Sequence, residues 1–101
     1  MGSIDPDIIR RILRDHIPQF QYCYQKVLDS SKNKFSGVID LKFDIGAAGT
    51  VTKAGIKRKS AMPATVKRCV LDVLRGIKFP EPLGGGTVTV EQPLNYYPVS
   101  G

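Results

Sequence analysis

Residues 37–57, GVIDLKFDIGAAGTVTKAGIK, limit the possible folds of this chain more than any other stretch. Ile39, Leu41, Phe43 and Ile45 alternate with Asp40, Lys42 and Asp44. Side chains that change face at every residue, greasy then wet, describe a half-buried strand. Gly46-Ala47-Ala48-Gly49 follows, and its glycines permit the positive φ that a tight reversal needs. Val51, Ala54 and Ile56 then return without strict alternation and with Gly55 among them. A bulge or a weak edge is expected there. The stretch predicts a β-hairpin whose first strand is the better buried, and the other segments must cover its apolar face or widen the sheet.

Upstream, Asp5-Pro6 reads as a helix cap followed by proline in the first turn. Apolar residues from Ile8 to Leu28 recur every three or four positions, so an amphipathic helix is expected to about Ser30. Pro18 interrupts it at a cost of ~3 kcal/mol in an unadjusted helix interior. A kink, or two shorter helices meeting near Ile17, is expected. Downstream, Ser60-Ala61-Met62-Pro63 opens a second helix with Pro63 in its first turn, and Gly76 is its stop. Phe79-Pro80-Glu81-Pro82 is a rigid extended turn, with Phe79 as a core plug. Gly84-Gly85-Gly86 makes a flexible approach to a last β-prone strand, Thr87–Gln92. Pro93 belongs at an edge or a bulge, and Leu94–Pro98 offers that strand a second half.

These elements predict an α+β domain of order α-β-β-α-β. Two helices pack on one face of a three-stranded antiparallel sheet of order 2-1-3, with a right-handed crossover. One domain is expected over residues 6–98, after a tag or disordered start at 1–5 and before a tail at 99–101. Met1-Gly2-Ser3 reads as a start plus a cloning scar, which implies an excised domain. The apolar fraction of 42% and charged fraction of 24% fit a globular chain rather than a disordered one.

The net charge of +6 admits acidic partners, nucleic acid among them, or plain solubility. Only Lys57-Arg58-Lys59 forms a dense basic run. An enzyme fits poorly: His16 stands alone beside Asp15 and Arg14, and Asp40 and Asp44 lack a metal-binding loop. No metal site, cofactor or small-molecule substrate is expected. Cys23 and Cys69 are compatible with a disulfide or with two buried thiols. Each falls on the apolar stripe of a different helix, which could bring the pair together. The hypothesis drawn from that placement is a bond worth ~4 kcal/mol or less.

The order of motifs resembles the C-terminal domain of TonB, a periplasmic energy transducer, over residues 37–97. The Cys23-Tyr24 and Cys69-Val70 pairs and the run from Phe79-Pro80 through the glycines to Pro93 extend the resemblance to about residues 8–97. They resemble the TonB-like domain of adventurous gliding motility proteins of AgmX/PglI type. Gly76-Ile77-Lys78-Phe79 stands where true TonB has a tryptophan-arginine-tyrosine cluster. Pro93-Leu94-Asn95-Tyr96 stands where the motility branch ends in aromatics.

The resemblance implies a non-catalytic periplasmic binding domain of a protein anchored in the inner membrane beside a proton-driven motor. Its partner would be an outer-membrane or periplasmic protein segment, held by β-augmentation at the last strand. The expected contact residues are Gly86, Thr87, Val88, Thr89, Val90, Glu91, Tyr96 and Tyr97. One of the two tyrosines is expected to cover the open sheet face and the other to be exposed. Proline at Val88 or Val90 is expected to abolish binding, and a homodimer by strand exchange is allowed. The alternative is a small basic nucleic-acid-binding domain, although the central strand lacks base-stacking aromatics on its open face.

Overall fold

The computed structural model describes residues 2–31, 34–57 and 60–98. Arg58 and Lys59 of the basic run, Met1 and the tail 99–101 lie outside the described residues. Six elements follow in order: α1 (Pro6–Asp15), α2 (Ile17–Asp29), β1 (Gly37–Ile45), β2 (Val51–Ile56), α3 (Ala64–Arg75) and β3 (Val88–Tyr96).

The Asp5 carboxylate accepts the Asp7 N–H at 2.9 Å, with Pro6 in the first turn, and this cap starts α1. The first helix ends where the chain approaches Pro18, which has no N–H to give to an earlier carbonyl. His16 closes α1 and opens α2, its own carbonyl accepting the Gln19 and Phe20 N–H groups. Of the two expected outcomes at Pro18, a kink or two shorter helices meeting near Ile17, the chain takes the second, and Nδ1 of His16 lies 2.7 Å from the Ile12 carbonyl. Pro63 takes the N-cap position of α3 rather than its first turn, and Gly76 is the C-cap. The start segment expected to be disordered is paired: Ser3 and Leu83 exchange two backbone hydrogen bonds of 3.0 and 2.8 Å.

The sheet has the expected order β2-β1-β3, antiparallel throughout. Its hairpin carries a register shift at Asp44/Ile45, where Thr52 is the extra residue on β2. The turn depends on Gly49, whose φ is +81° and whose missing Cβ would lie 2.1 Å from the Phe79 carbonyl oxygen. Phe79 N–H in turn donates to the Gly49 carbonyl at 2.8 Å. The Phe79-Pro80 turn thus clasps the hairpin, and the Phe79 ring reaches the core beside Phe43. In the turn ahead of β3, Gly84 and Gly85 of the glycine run take positive φ, 86° and 72°.

One core lies between helices and sheet. Ile39, Leu41, Phe43 and Ile45 are its floor; Phe20 and Tyr24 of α2 and Val66, Val70 and Leu74 of α3 are its roof. Cys23 and Cys69 are joined by a disulfide that staples α2 to α3. At one end Tyr24 and Tyr96 stack with ring centroids 4.9 Å apart. The Tyr24 hydroxyl donates to the Phe35 carbonyl, and the Tyr96 hydroxyl to the Phe20 carbonyl at 2.9 Å. These bonds satisfy the polar tips that burial would otherwise leave without water. Burial pushes both phenol pKa values upward.

Candidate functional site

The hydrogen-bond parity of β1 decides what β3 offers outward. Lys57 N–H donates to the Asp40 carbonyl at 2.8 Å, so Asp40, Lys42 and Asp44 turn their backbone toward β2. The odd residues of β1 therefore bond β3, through Gly37↔Tyr96, Ile39↔Leu94, Leu41↔Gln92, Phe43↔Val90 and Ile45↔Val88. Thr89, Glu91, Pro93 and Asn95 then turn their backbone away from the sheet. Among the described residues no strand pairs with that outer edge. Pro93 falls on the outward row, so its missing donor takes nothing from the β1 ladder. It does break the row of donors shown to an incoming strand. The outer edge of β2 differs, because Thr50 pairs with Lys78 and its first turn is already clasped by Phe79.

Side chains follow the same parity. Val88, Val90, Gln92, Leu94 and Tyr96 point to the helix side, while Thr89, Glu91, Pro93 and Asn95 point to the open face. On the helix side Val88, Val90 and Leu94 are only half-buried. Beyond them, between the α1–α2 junction and the second half of β3, runs a groove of ≈ 650 Å³. Arg10, Arg14, Ile17, Leu94, Asn95 and Tyr97 shape its rim and wall, and among the described residues no carboxylate lines it. Ile17 is 50% and Tyr97 67% exposed, and the two lie together on this groove.

The expected contact residues separate under this geometry. Thr89 and Glu91 present backbone outward, and their side chains are engaged on the open face. Thr89 Oγ1 donates to Asp44 Oδ1 at 2.7 Å, and Glu91 pairs with Lys57 at 3.0 Å. Val88 and Val90 spend their backbone on β1 and offer only part-covered side chains. Thr87 is exposed just ahead of the strand. Gly86 is met by the chain itself: a Cβ on Gly2 would lie 2.6 Å from its carbonyl oxygen. Tyr96 is a correction. It is 4% exposed and locked in the core under the helices, neither at the edge nor on the open face. Tyr97 is the exposed one. The proposed proline at Val88 or Val90 also needs correcting, since it would cut the internal ladder rather than the edge.

Reading the sequence missed Arg10, Arg14, Ile17, Leu94 and Asn95. The arginine spacing of four, one face of a helix, was the available signal. Their meeting with β3 was not, because it depends on the break at His16.

Two other surfaces carry less. A cleft of ≈ 510 Å³ between α2 and α3 lies over the disulfide, with His16, Tyr22 and Asp72 on its walls. On the open face Lys42, Lys53 and Lys57 are interleaved with Asp40, Asp44 and Glu91. That mixture does not concentrate positive potential for a phosphate backbone. Among the described residues no cluster of His, Cys, Asp and Glu could hold a metal ion, and no helix is long and apolar enough to cross a membrane.

Comparison with protein-family models and with curated proteins finds no match. Among solved structures, the chain is similar to the NMR solution structure of the Helicobacter pylori TonB C-terminal domain, residues 179–285. The two share 18% identity at a TM-score of 0.55, over 86% of this chain and 84% of that one. At that identity the likeness is one of fold, and the fold is the TonB C-terminal-like α+β arrangement expected from the sequence.

Proposed function

We propose that this chain is a non-catalytic protein-interaction domain of a trans-envelope energy-transducing machine, working in the periplasm. It holds a segment of an outer-membrane or periplasmic protein as an added strand on the outer edge of β3. The observation that carries this reading is the outward backbone row of β3 beside a part-covered apolar rim. An incoming strand would pair with the row and finish burying Val88, Val90 and Leu94. The likeness in fold to a TonB C-terminal domain supports the setting. The Cys23–Cys69 disulfide suits an oxidising compartment.

The motif run from Phe79-Pro80 through the glycines to Pro93 favours the gliding-motility branch. In that branch the domain ends a protein anchored in the inner membrane beside a proton-driven motor. Force on such a grip is borne by main-chain hydrogen bonds in parallel, which tolerate many partner sequences.

Capture from an outer-membrane extract tests the reading, with Thr89→Pro as the control. That change removes an outward N–H and leaves the β1 ladder whole. Wild type is expected to retain an outer-membrane protein, in a manner little affected by salt, and Thr89→Pro to lose it. Equal capture by a folded Thr89→Pro domain counts against strand addition, and steep loss with salt points to nucleic acid instead.

A further inference from the structure

We infer that the groove beside β3 selects the added strand by its side chains, taking an acidic residue at Arg14 and an apolar residue against Ile17, Leu94 and Tyr97. This rests on the strand-addition reading and adds the partner's chemistry to it. A strand docked on the outer row turns every second side chain to the helix side, at a spacing of about 7 Å. Those side chains enter the groove.

Among the described residues the groove's charge has one sign. Arg10 and Arg14 stand four residues apart on one face of α1. Arg10 is already held by Asp7, whereas no carboxylate among the described residues pairs with Arg14. A planar guanidinium at the mouth of a part-apolar groove favours a carboxylate, which it can hold through two parallel hydrogen bonds. A lysine at the same place meets like charge and is rejected. Part of the remaining wall is apolar: Ile17 sits exposed where α2 begins, and Leu94 and Tyr97 line the side of β3 and its end. A neighbouring aliphatic or aromatic residue of the partner covers them. A nucleic acid would satisfy Arg14 alone and leave the apolar wall and the outward backbone unused.

The test uses three fluorescent ten-residue peptides that alternate threonine and valine, one valine being replaced by glutamate, glutamine or lysine. Binding is read by anisotropy against wild type, Arg14→Gln, Tyr97→Ser and Thr89→Pro. The glutamate peptide is expected to bind about tenfold tighter than the lysine peptide. Arg14→Gln is expected to erase that preference, and Tyr97→Ser to weaken all three peptides. Equal binding of all three peptides, each lost in Thr89→Pro, overturns the selection and leaves strand addition standing. Binding that ignores Thr89→Pro, or no binding at all, overturns both. A labelled oligothymidylate that binds more tightly than the glutamate peptide, and loses affinity in Arg14→Gln, assigns the groove to nucleic acid and overturns the proposal.

Discussion

Replacing both half-cystines, Cys23→Ala with Cys69→Ala, removes the one covalent tie between α2 and α3. The bond spans a separation of 46 residues. In the chain-entropy model a loop of that length contributes about 4 kcal/mol, because the cross-link narrows the unfolded ensemble. Loss of the sulfur of Cys23, which is wholly buried, adds a packing term of roughly 1 kcal/mol. Cys69, half-exposed over the cleft, adds less. Against a total of about 5–15 kcal/mol for a domain of this size, a loss of about 5 kcal/mol lowers the melting temperature by some 20–40 °C. Urea titration followed by far-ultraviolet circular dichroism measures the change. The m-value should rise as well, since an uncrossed unfolded chain exposes more surface. A loss below about 1 kcal/mol with an unchanged m-value would refute the reasoning, because the bond would then not be constraining the unfolded state.

Gly49→Ala is expected to cost at least about 2 kcal/mol, since it combines a left-handed backbone with a Cβ 2.1 Å from the Phe79 carbonyl oxygen; the same titration checks it. Tyr96→Phe loses only the bond to Phe20, about 1 kcal/mol, whereas Tyr96→Ala opens the core and costs about 3–5 kcal/mol. Alkali should unfold the domain through Tyr24 and Tyr96. Their folded pKa values are raised, so the stability they confer is full below the unfolded phenol value near 10 and is lost as pH rises through the folded values. Between those limits each contributes a fall of about 1.4 kcal/mol per pH unit, seen as a decline in urea midpoint that starts near pH 10.

The hairpin and the helix stripes were legible because each follows from a local period, and the sheet order because the order of elements and a right-handed crossover leave few alternatives. Ile39 to Ile45 alternate and lie on the core floor; Val66, Val70 and Leu74 keep helical spacing and roof it. The break at Pro18 was legible as chemistry. Its consequence was not, since placing Arg14 and Ile17 beside Leu94 and Tyr97 depends on the angle between α1 and α2. The roles of Tyr96 and Tyr97 depend on strand parity to the last residue of β3, and a period of two cannot say where a strand stops. Gly2 against Gly86, and Phe79 clasping Gly49, are contacts between distant segments and leave no periodic trace.

Hydrogen exchange along β3, residue by residue, tests strand addition most directly. In the free domain the amides of Val88, Val90, Gln92, Leu94 and Tyr96 should exchange slowly, and those of Thr89 and Asn95 quickly. With the captured envelope protein bound, Thr89 and Asn95 should become slow. Protection of both in the free domain, or no change in either on binding, would contradict the account.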